Sequence, residues 1–222
     1  MYTYLIIDLL IILFPLLFSF ENKIKFYKNF AELFISISSV GIPLIIWDYY
    51  ANLNGVWGFS ENYTTGIRIL GLPIEEIAFF LVVPYSMIFL WETYNHYIQS
   101  GRIGFSKNIF VFLASFSLLI AVINFGKNYT FTVFLFLTII FFISYLTNFG
   151  FINSTSKLLF FILSFIPFLL VNYLLTSIPV VTYNPDHYSN INIITIPLED
   201  FFYSFLLVYS YIFVYEIAKQ GN

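Results

Sequence analysis

The chain has no cysteine among its 222 residues, two histidines, and only 9% charged residues. Without thiols there can be no disulfide, iron–sulfur cluster or thiolate metal site, and two histidines far apart in sequence argue against zinc, so no metal and no cofactor is expected. Neither a G-x-G-x-x-G dinucleotide fingerprint nor a G-x-x-x-x-G-K-[ST] phosphate loop occurs. No D-D-x-x-D-like cluster is present to hold magnesium and a pyrophosphate, which argues against prenyl transfer. The last apolar segment has no lysine before Lys219, which argues against a seven-helix retinal protein with a Schiff base there. No nucleic-acid partner is expected.

What the chain has in excess is apolar surface. It is 60% hydrophobic and 23% aromatic, with a mean hydropathy of +0.88, far outside the range of soluble globular domains. The aromatic excess fits a codon bias as well as a cofactor cage. Apolar windows of about 20 residues, enough to cross roughly 30 Å of hydrocarbon, are placed at about 2–20, 31–50, 70–93, 108–125, 129–149, 158–178 and 194–217. The expected fold is an all-α, polytopic membrane protein of seven spans. Pro15, Pro43, Pro84 and Pro167 interrupt these spans, which a membrane helix tolerates when neighbours satisfy the freed carbonyls.

Basic residues set the expected orientation, because cytoplasmic loops retain Lys and Arg. Lys23, Lys25, Lys28, Arg102, Lys107, Lys157 and Lys219 fall on one side, and only Arg68 and Lys127 on the other. A multi-pass inner-membrane protein with its N-terminus outside and its C-terminus cytoplasmic is expected. The first segment, lacking a basic n-region and a small-residue cleavage site, reads as an anchor.

An internal repeat organises the chain. An offset of 124 positions matches Pro43 with Pro167, Asp48 with Asn172, Tyr49 with Tyr173 and Pro73 with Pro197. It continues through Glu75 with Glu199, Glu76 with Asp200, Tyr85 with Tyr209, Ser86 with Ser210, Phe89 with Phe213 and Glu92 with Glu216. The reading is a duplication: residues 1–93 form one three-helix unit, 94–128 a connector with the fourth span, and 129–222 the second unit. The odd connector makes this 3+1+3 arrangement a pair of parallel repeats, so both proline–acid motifs open a helix at the outer face.

Proline followed by glutamate is a common helix start, in which the carboxylate caps free amides and meets the positive end of the helix dipole. One capping carboxylate would suffice, yet an acidic pair persists in both halves. Neighbours on a helix point about 100° apart, so only one of each pair can face a given target. Asp8, Asp48 and Asn172 are placed at similar depth, with no basic residue in the membrane to pair with the carboxylates. Crowded in low dielectric, carboxyl groups escape by sharing protons, which makes Asp8, Asp48, Glu75, Glu76, Glu199 and Asp200 candidate general acids and bases. Glu92 and Glu216 are expected as solvated groups at the cytoplasmic interface, and His187 as an outer-loop neighbour of the site.

The segments "WDYYANLNGVWGFSENYTTGIRILGLPIEEIAFF" and "TYNPDHYSNINIITIPLEDFFYSFLLV" resemble the lycopene β-cyclase family of the heterodimeric or fused membrane type. The paired P-[IL]-E-[ED] motifs and the upstream W-x-F carry the resemblance, which extends over essentially the whole chain; Trp57 and Gly58 correspond to Val181 and Thr182, so the halves differ. The resemblance implies a redox-neutral isomerase of the intramolecular lyase class, converting linear ψ ends of lycopene to β rings. A proton enters the terminal C1=C2 bond, the C5=C6 bond attacks the cation to close the ring, and a proton leaves C6. Such chemistry calls for a neutral carboxyl in a dry pocket, a base nearby, and aromatic faces that stabilise a cation. Catalytic roles then fall to Glu75, Glu76, Glu199 and Asp200, with Glu75 and Glu199 as the principal pair in either order. Substrate contacts fall to Asp8, Trp47, Asp48, Tyr49, Trp57, Phe79, Phe80, Asn172, Tyr173 and Tyr203. The implied partners are lycopene drawn from the bilayer, membrane lipid, and other enzymes of carotenoid synthesis. A cyclase making γ or ε rings or acting on longer carotenoids shares all these features. A proton or ion translocator would also place carboxylates in a duplicated bundle, although it should carry polar groups through the full depth.

Overall fold

The computed structural model describes residues 2–98, 101, 106–147 and 154–221; Arg102 and the 148–149 end of the fifth expected span lie outside these. Long apolar runs with few breakers make the described chain mostly helical: α1 (Thr3–Phe18), α2 (Phe30–Ser36), α3 (Ile42–Leu53), α4 (Ile74–Tyr97), α5 (Asn108–Ile123), α6 (Asn128–Leu146), α7 (Thr155–Ser177) and α8 (Leu198–Gln220). A short π-helical stretch, Ile37–Gly41, joins α2 to α3. It precedes Pro43, which cannot donate to the helical ladder. Gly41 makes room there for the Tyr211 hydroxyl, to which a Cβ would come within 3.1 Å.

Five stretches are long and apolar enough to cross a membrane: Phe26–Leu53, Ile74–Tyr97, Asn128–Leu146, Thr155–Ser177 and Leu198–Gln220. At 16 residues each, α1 and α5 measure about 24 Å, a little less than a hydrocarbon layer of about 30 Å. The outer surfaces of the helices are apolar: Leu9, Phe14, Phe116, Leu119, Ile166 and Leu170 are all exposed, far more contiguous apolar surface than water tolerates on a monomer. The interior lies along α4 and α8, where Ile88, Trp91, Tyr209, Ile212 and Tyr215 are fully buried.

Between α3 and α4 lie β1 (Trp57–Phe59), β2 (Arg68–Ile69) and β3 (Leu72–Pro73), and between α7 and α8 lie β4 (Val181–Tyr183), β5 (Asn192–Ile193) and β6 (Ile196–Pro197). β1 pairs with β4 antiparallel, placing Gly58 opposite Thr182. β2–β3 and β5–β6 are tight hairpins leading directly into α4 and α8. The helices expected from residues 70 and 194 therefore begin later, at Ile74 and Leu198. Apolarity continues through both hairpins, so composition does not mark the boundary. The backbone does: Leu70 and Ile194 take positive φ of 52° and 62°, and Pro73 and Pro197 are extended, with ψ of 143° and 142°.

At the far ends of α4 and α8 the expected solvation of Glu92 and Glu216 is corrected. Trp91 Nε1 donates to Glu216 Oε1 at 2.7 Å, Tyr215 OH donates to Glu92 Oε1 at 3.0 Å, and Lys219 Nζ lies 2.7 Å from the same oxygen. Each carboxylate is half-buried and ties one of these two helices to the other.

Candidate functional site

Glu75 and Glu76 occupy the first turn of α4, and Glu199 and Asp200 the first turn of α8. All four are buried. Because consecutive helical side chains diverge by about 100°, each pair divides between two tasks.

Glu75 and Glu199 hold the loops before their helices. Glu75 Oε1 accepts from the Thr65 amide at 2.5 Å. Glu199 Oε1 accepts from the Ser189 amide at 2.7 Å and the Thr130 hydroxyl at 2.6 Å, and its Oε2 accepts from the Ser189 hydroxyl at 3.1 Å. Thr65 and Ser189 each stand ten residues before the glutamate they bind, so both carboxylates close a loop onto a helix start instead of capping the helix's own amides.

Glu76 and Asp200 face a common cavity of about 470 Å³. It is lined mainly by α1, α4, α7 and α8, with Asp48 of α3 and Tyr129 of α6, and closed at the acidic end by Trp57, Phe59, Val181 and Tyr183. From Glu76 to Leu90, both lining residues, α4 rises about 21 Å. Leu10, Phe14 and Leu170 line this cavity and are also 62%, 63% and 65% exposed. The cavity thus opens sideways between α1 and α7 through an apolar mouth.

The two carboxyl groups differ in their surroundings. Three donors converge on Asp200: Tyr129 OH at 2.5 Å to Oδ1, and Asn172 Nδ2 and Tyr183 OH, each at 2.9 Å, to Oδ2. Glu76 receives a hydrogen bond from Tyr4 OH at 2.5 Å. The residue matching Asn172 at the 124 offset is Asp48, which lies within electrostatic reach of Glu76. One oxygen of Asp48 accepts from Trp57 Nε1 at 2.7 Å and the other has no hydrogen-bond partner. Tyr183, in the loop above the helices, has its phenol pushed well above the ordinary range by burial and by the adjacent Asp200, so it donates and does not ionise.

Several expected contacts meet here. Asp48, Trp57, Phe79, Phe80, Asn172 and Tyr203 line the cavity. Trp47 stands behind it, with its ring 5.0 Å from Trp57 and 5.3 Å from Tyr203. Tyr49 and Tyr173 are not among the lining residues. Each follows Asp48 or Asn172 by one position and so points round the helix; Tyr173 is 45% exposed. Asp8 is buried but outside the lining, with neither oxygen hydrogen-bonded. His187 is also outside it. Among the described residues no cluster of His, Cys, Asp and Glu could hold a metal.

The hydroxyls of Tyr4, Tyr129 and Tyr183 are missing from the expected site. The signal for two of them was an offset of 125: Tyr4 matches Tyr129, and Ser19, bonded to Tyr85 at 2.6 Å, matches Ser144, bonded to Tyr209 at 2.8 Å. The second unit has one residue fewer between its first helix and the rest, which hides this correspondence from a gapless register.

A family model described as Lycopene cyclase matches residues 1–94 and 126–218. The lycopene β-cyclase of Halobacterium salinarum is 60% identical over 35 residues, 16% of this chain and 15% of that protein. The bifunctional lycopene cyclase/phytoene synthases of Pyrenophora tritici-repentis and Phycomyces blakesleeanus are 29% identical over 72 residues and 40% over 55 residues. These cover 32% and 23% of this chain but 12% and 9% of the fungal proteins. The chain thus matches only a small part of the length of these relatives. No solved structure matches.

Proposed function

From the membership of this chain in the lycopene cyclase family, we propose that it closes β rings on the linear ψ ends of lycopene, as a redox-neutral intramolecular lyase of the isomerase class. The observation that carries the reading is one apolar cavity, open sideways, with a carboxyl group from each half at its closed end and unequal donor sets around the two.

The unequal surroundings divide the chemistry. Glu76, with Asp48 close by and Tyr4 as its donor, is the acid: two carboxyl groups in one dry place share a proton that neither gives to water. It protonates the C1=C2 bond at C2, leaving the cation at C1. The C5=C6 bond supplies the electron pair of the new C1–C6 bond and the cation moves to C5. Asp200, held by three donors, is a receptacle for negative charge and takes the proton from C6, whose bonding electrons form the C5=C6 bond of the product. Trp57, Tyr203 and Phe80 present aromatic faces to the cation. Glu75 and Glu199 act as positioning residues that fix the loops over the site.

The architecture belongs to the same reading. Seven membrane helices form two parallel three-helix units, 1–93 and 129–222, around a connector, 94–128, with the N-terminus outside and the C-terminus cytoplasmic. Supporting it are the recurrence of hydrogen bonds at offsets of 124 and 125, the reciprocal Trp91–Glu216 and Tyr215–Glu92 pairs, and the gap from 95 to 125 in the family match. Lycopene enters through the lipid-facing mouth, and no soluble cofactor takes part.

Expression in lycopene-accumulating cells with pigment analysis tests the function. Monocyclic and bicyclic β-ring products are expected. Unchanged lycopene beside stably inserted protein would refute a cyclase, and γ or ε rings would reassign the carbon that loses the proton.

A further inference from the structure

The two hairpins before α4 and α8 carry branched aliphatic side chains where water-exposed turns carry polar ones. Ile67, Ile69 and Leu70 are 58%, 47% and 75% exposed, and their counterparts Ile191, Ile193 and Ile194 are 55%, 46% and 80% exposed. At both tips an aliphatic residue holds a left-handed φ, a conformation in which a β-branched side chain such as that of Ile194 is a genuine outlier. A polar Asn or a Gly at these two positions would relieve that cost; the first tip has glycine only at the next position, Gly71, and the second has Thr195 there.

We propose that both hairpins are seated at the acyl–headgroup boundary of the outer leaflet, with Leu70 and Ile194 among lipid chains. The inference rests on the membrane-spanning reading above and commits to lipid as the occupant. Helix length supports it. From Glu92, paired with Lys219, to Ile74, and from Glu216 to Leu198, α4 and α8 each rise about 27 Å. With the Glu92–Lys219 pair at one edge of a hydrocarbon layer of about 30 Å, the other edge falls a few ångströms beyond Ile74 and Leu198, at the level of the hairpins.

Several polar groups in and beside the hairpins find partners within the protein, which lowers the cost of a low-dielectric setting. Arg68 Nη1 donates to the Gly71 carbonyl at 2.8 Å and its Nη2 lies 3.7 Å from Glu61. Thr195 Oγ1 is 2.7 Å from Thr176 Oγ1, and Asn192 Nδ2 donates to Tyr188 OH at 3.3 Å. The Ile74 and Leu198 amides bond back to the Ile67 and Ile191 carbonyls. A consequence is that Glu76 and Asp200, one turn below, lie under a lipid-immersed roof and are shielded from water.

The absence of cysteine makes the test direct. Single-cysteine variants Leu70→Cys and Ile194→Cys are nitroxide-labelled in proteoliposomes, with Ile139→Cys in α6 as the lipid reference and Glu61→Cys as the aqueous reference. Collision rates with oxygen and with a water-soluble nickel chelate are measured for each. The proposal expects the oxygen-to-nickel ratio at 70 and 194 to be several-fold above that at 61 and to approach that at 139. Ratios at 70 and 194 equal to that at 61, with 139 still lipid-like, overturn it and leave the spans intact. A water-like ratio at 139 as well would overturn the membrane-spanning reading itself. Leu70→Trp and Ile194→Trp variants, read by quenching with brominated lipid, probe the same placement without labelling: added quenching supports the seat in lipid and none refutes it.

Discussion

Replacing Asp200 with Asn separates the proposed base from the proposed acid with little change in shape. The carboxylate accepts from Tyr129, Asn172 and Tyr183 through two oxygens, whereas Asn offers one acceptor oxygen, so at least one donor loses its partner at a cost of about 1–3 kcal/mol in stability. The catalytic effect should be larger. A full negative charge about 5 Å from a carbocation contributes about 3 kcal/mol at an effective dielectric of 20, equivalent to roughly a hundredfold in rate, and the variant also lacks the acceptor for the C6 proton. Protonation itself should survive, because Glu76, Asp48 and Tyr4 are untouched. In membranes supplied with lycopene in D₂O, Asp200→Asn should therefore give slow conversion to deuterated products whose proton is lost from another carbon or whose cation is captured by water. Glu76→Gln should give neither conversion nor deuterium uptake. If Glu76→Gln still deuterates the substrate while Asp200→Asn does not, the roles are reversed and donor count does not assign them.

Glu75→Gln and Glu199→Gln should act on stability. The second should cost more, because Glu199 receives three hydrogen bonds and Glu75 one: about 2–4 kcal/mol against about 1–2, read from thermal melts in detergent. Loss of cyclisation with an unchanged melting temperature would return both residues to the chemistry. Glu92→Gln breaks a half-buried pair with Lys219 and weakens the bond from Tyr215, which should lower stability by about 1 kcal/mol and leave the ratio of ring types unchanged; an altered product ratio would mean that the clamp at the far ends of α4 and α8 shapes the cavity.

Much of the helical content was legible because apolar windows of membrane length have few alternatives to helix. The boundaries at Ile74 and Leu198 were less so: hydropathy continues through the hairpins, and a left-handed φ at Leu70 or Ile194 leaves no trace in composition. The proline–acid motifs marked the first turns of α4 and α8, where all four carboxyl groups are buried. Which member of each pair faces the cavity depends on the rotation of α4 and α8, set by packing along their whole length, and this is a tertiary quantity. Tyr183 was hidden for a different reason. Its counterpart at the 124 offset is Phe59, so a search for matched polar residues passes over the very position where the halves diverge.

That divergence is what the proposed chemistry needs. Two identical halves would build two identical carboxyl sites, each with the same appetite for a proton, and a cyclisation that begins by giving a proton and ends by taking one gains nothing from equal partners. The two proline–acid motifs bring buried Glu76 and Asp200 to one cavity, Asp48 adds a third carboxyl group to its lining, and a few side chains make the surroundings of Glu76 and Asp200 unequal. Asn172 stands where the first half has Asp48, so an amide donor replaces a second acid. Tyr183 stands where the first half has Phe59, adding a hydroxyl to the same carboxylate. Trp57, opposite Tyr183 across the β1–β4 pair, spends its N–H on Asp48 and leaves Glu76 with the hydroxyl of Tyr4. Exchanging Asp48 for Asn and Asn172 for Asp together would move the extra acid to the other half. If this asymmetry assigns the roles, the double variant should recover little of the activity lost by either single one, because Tyr183 would still hold the proton acceptor at Asp200.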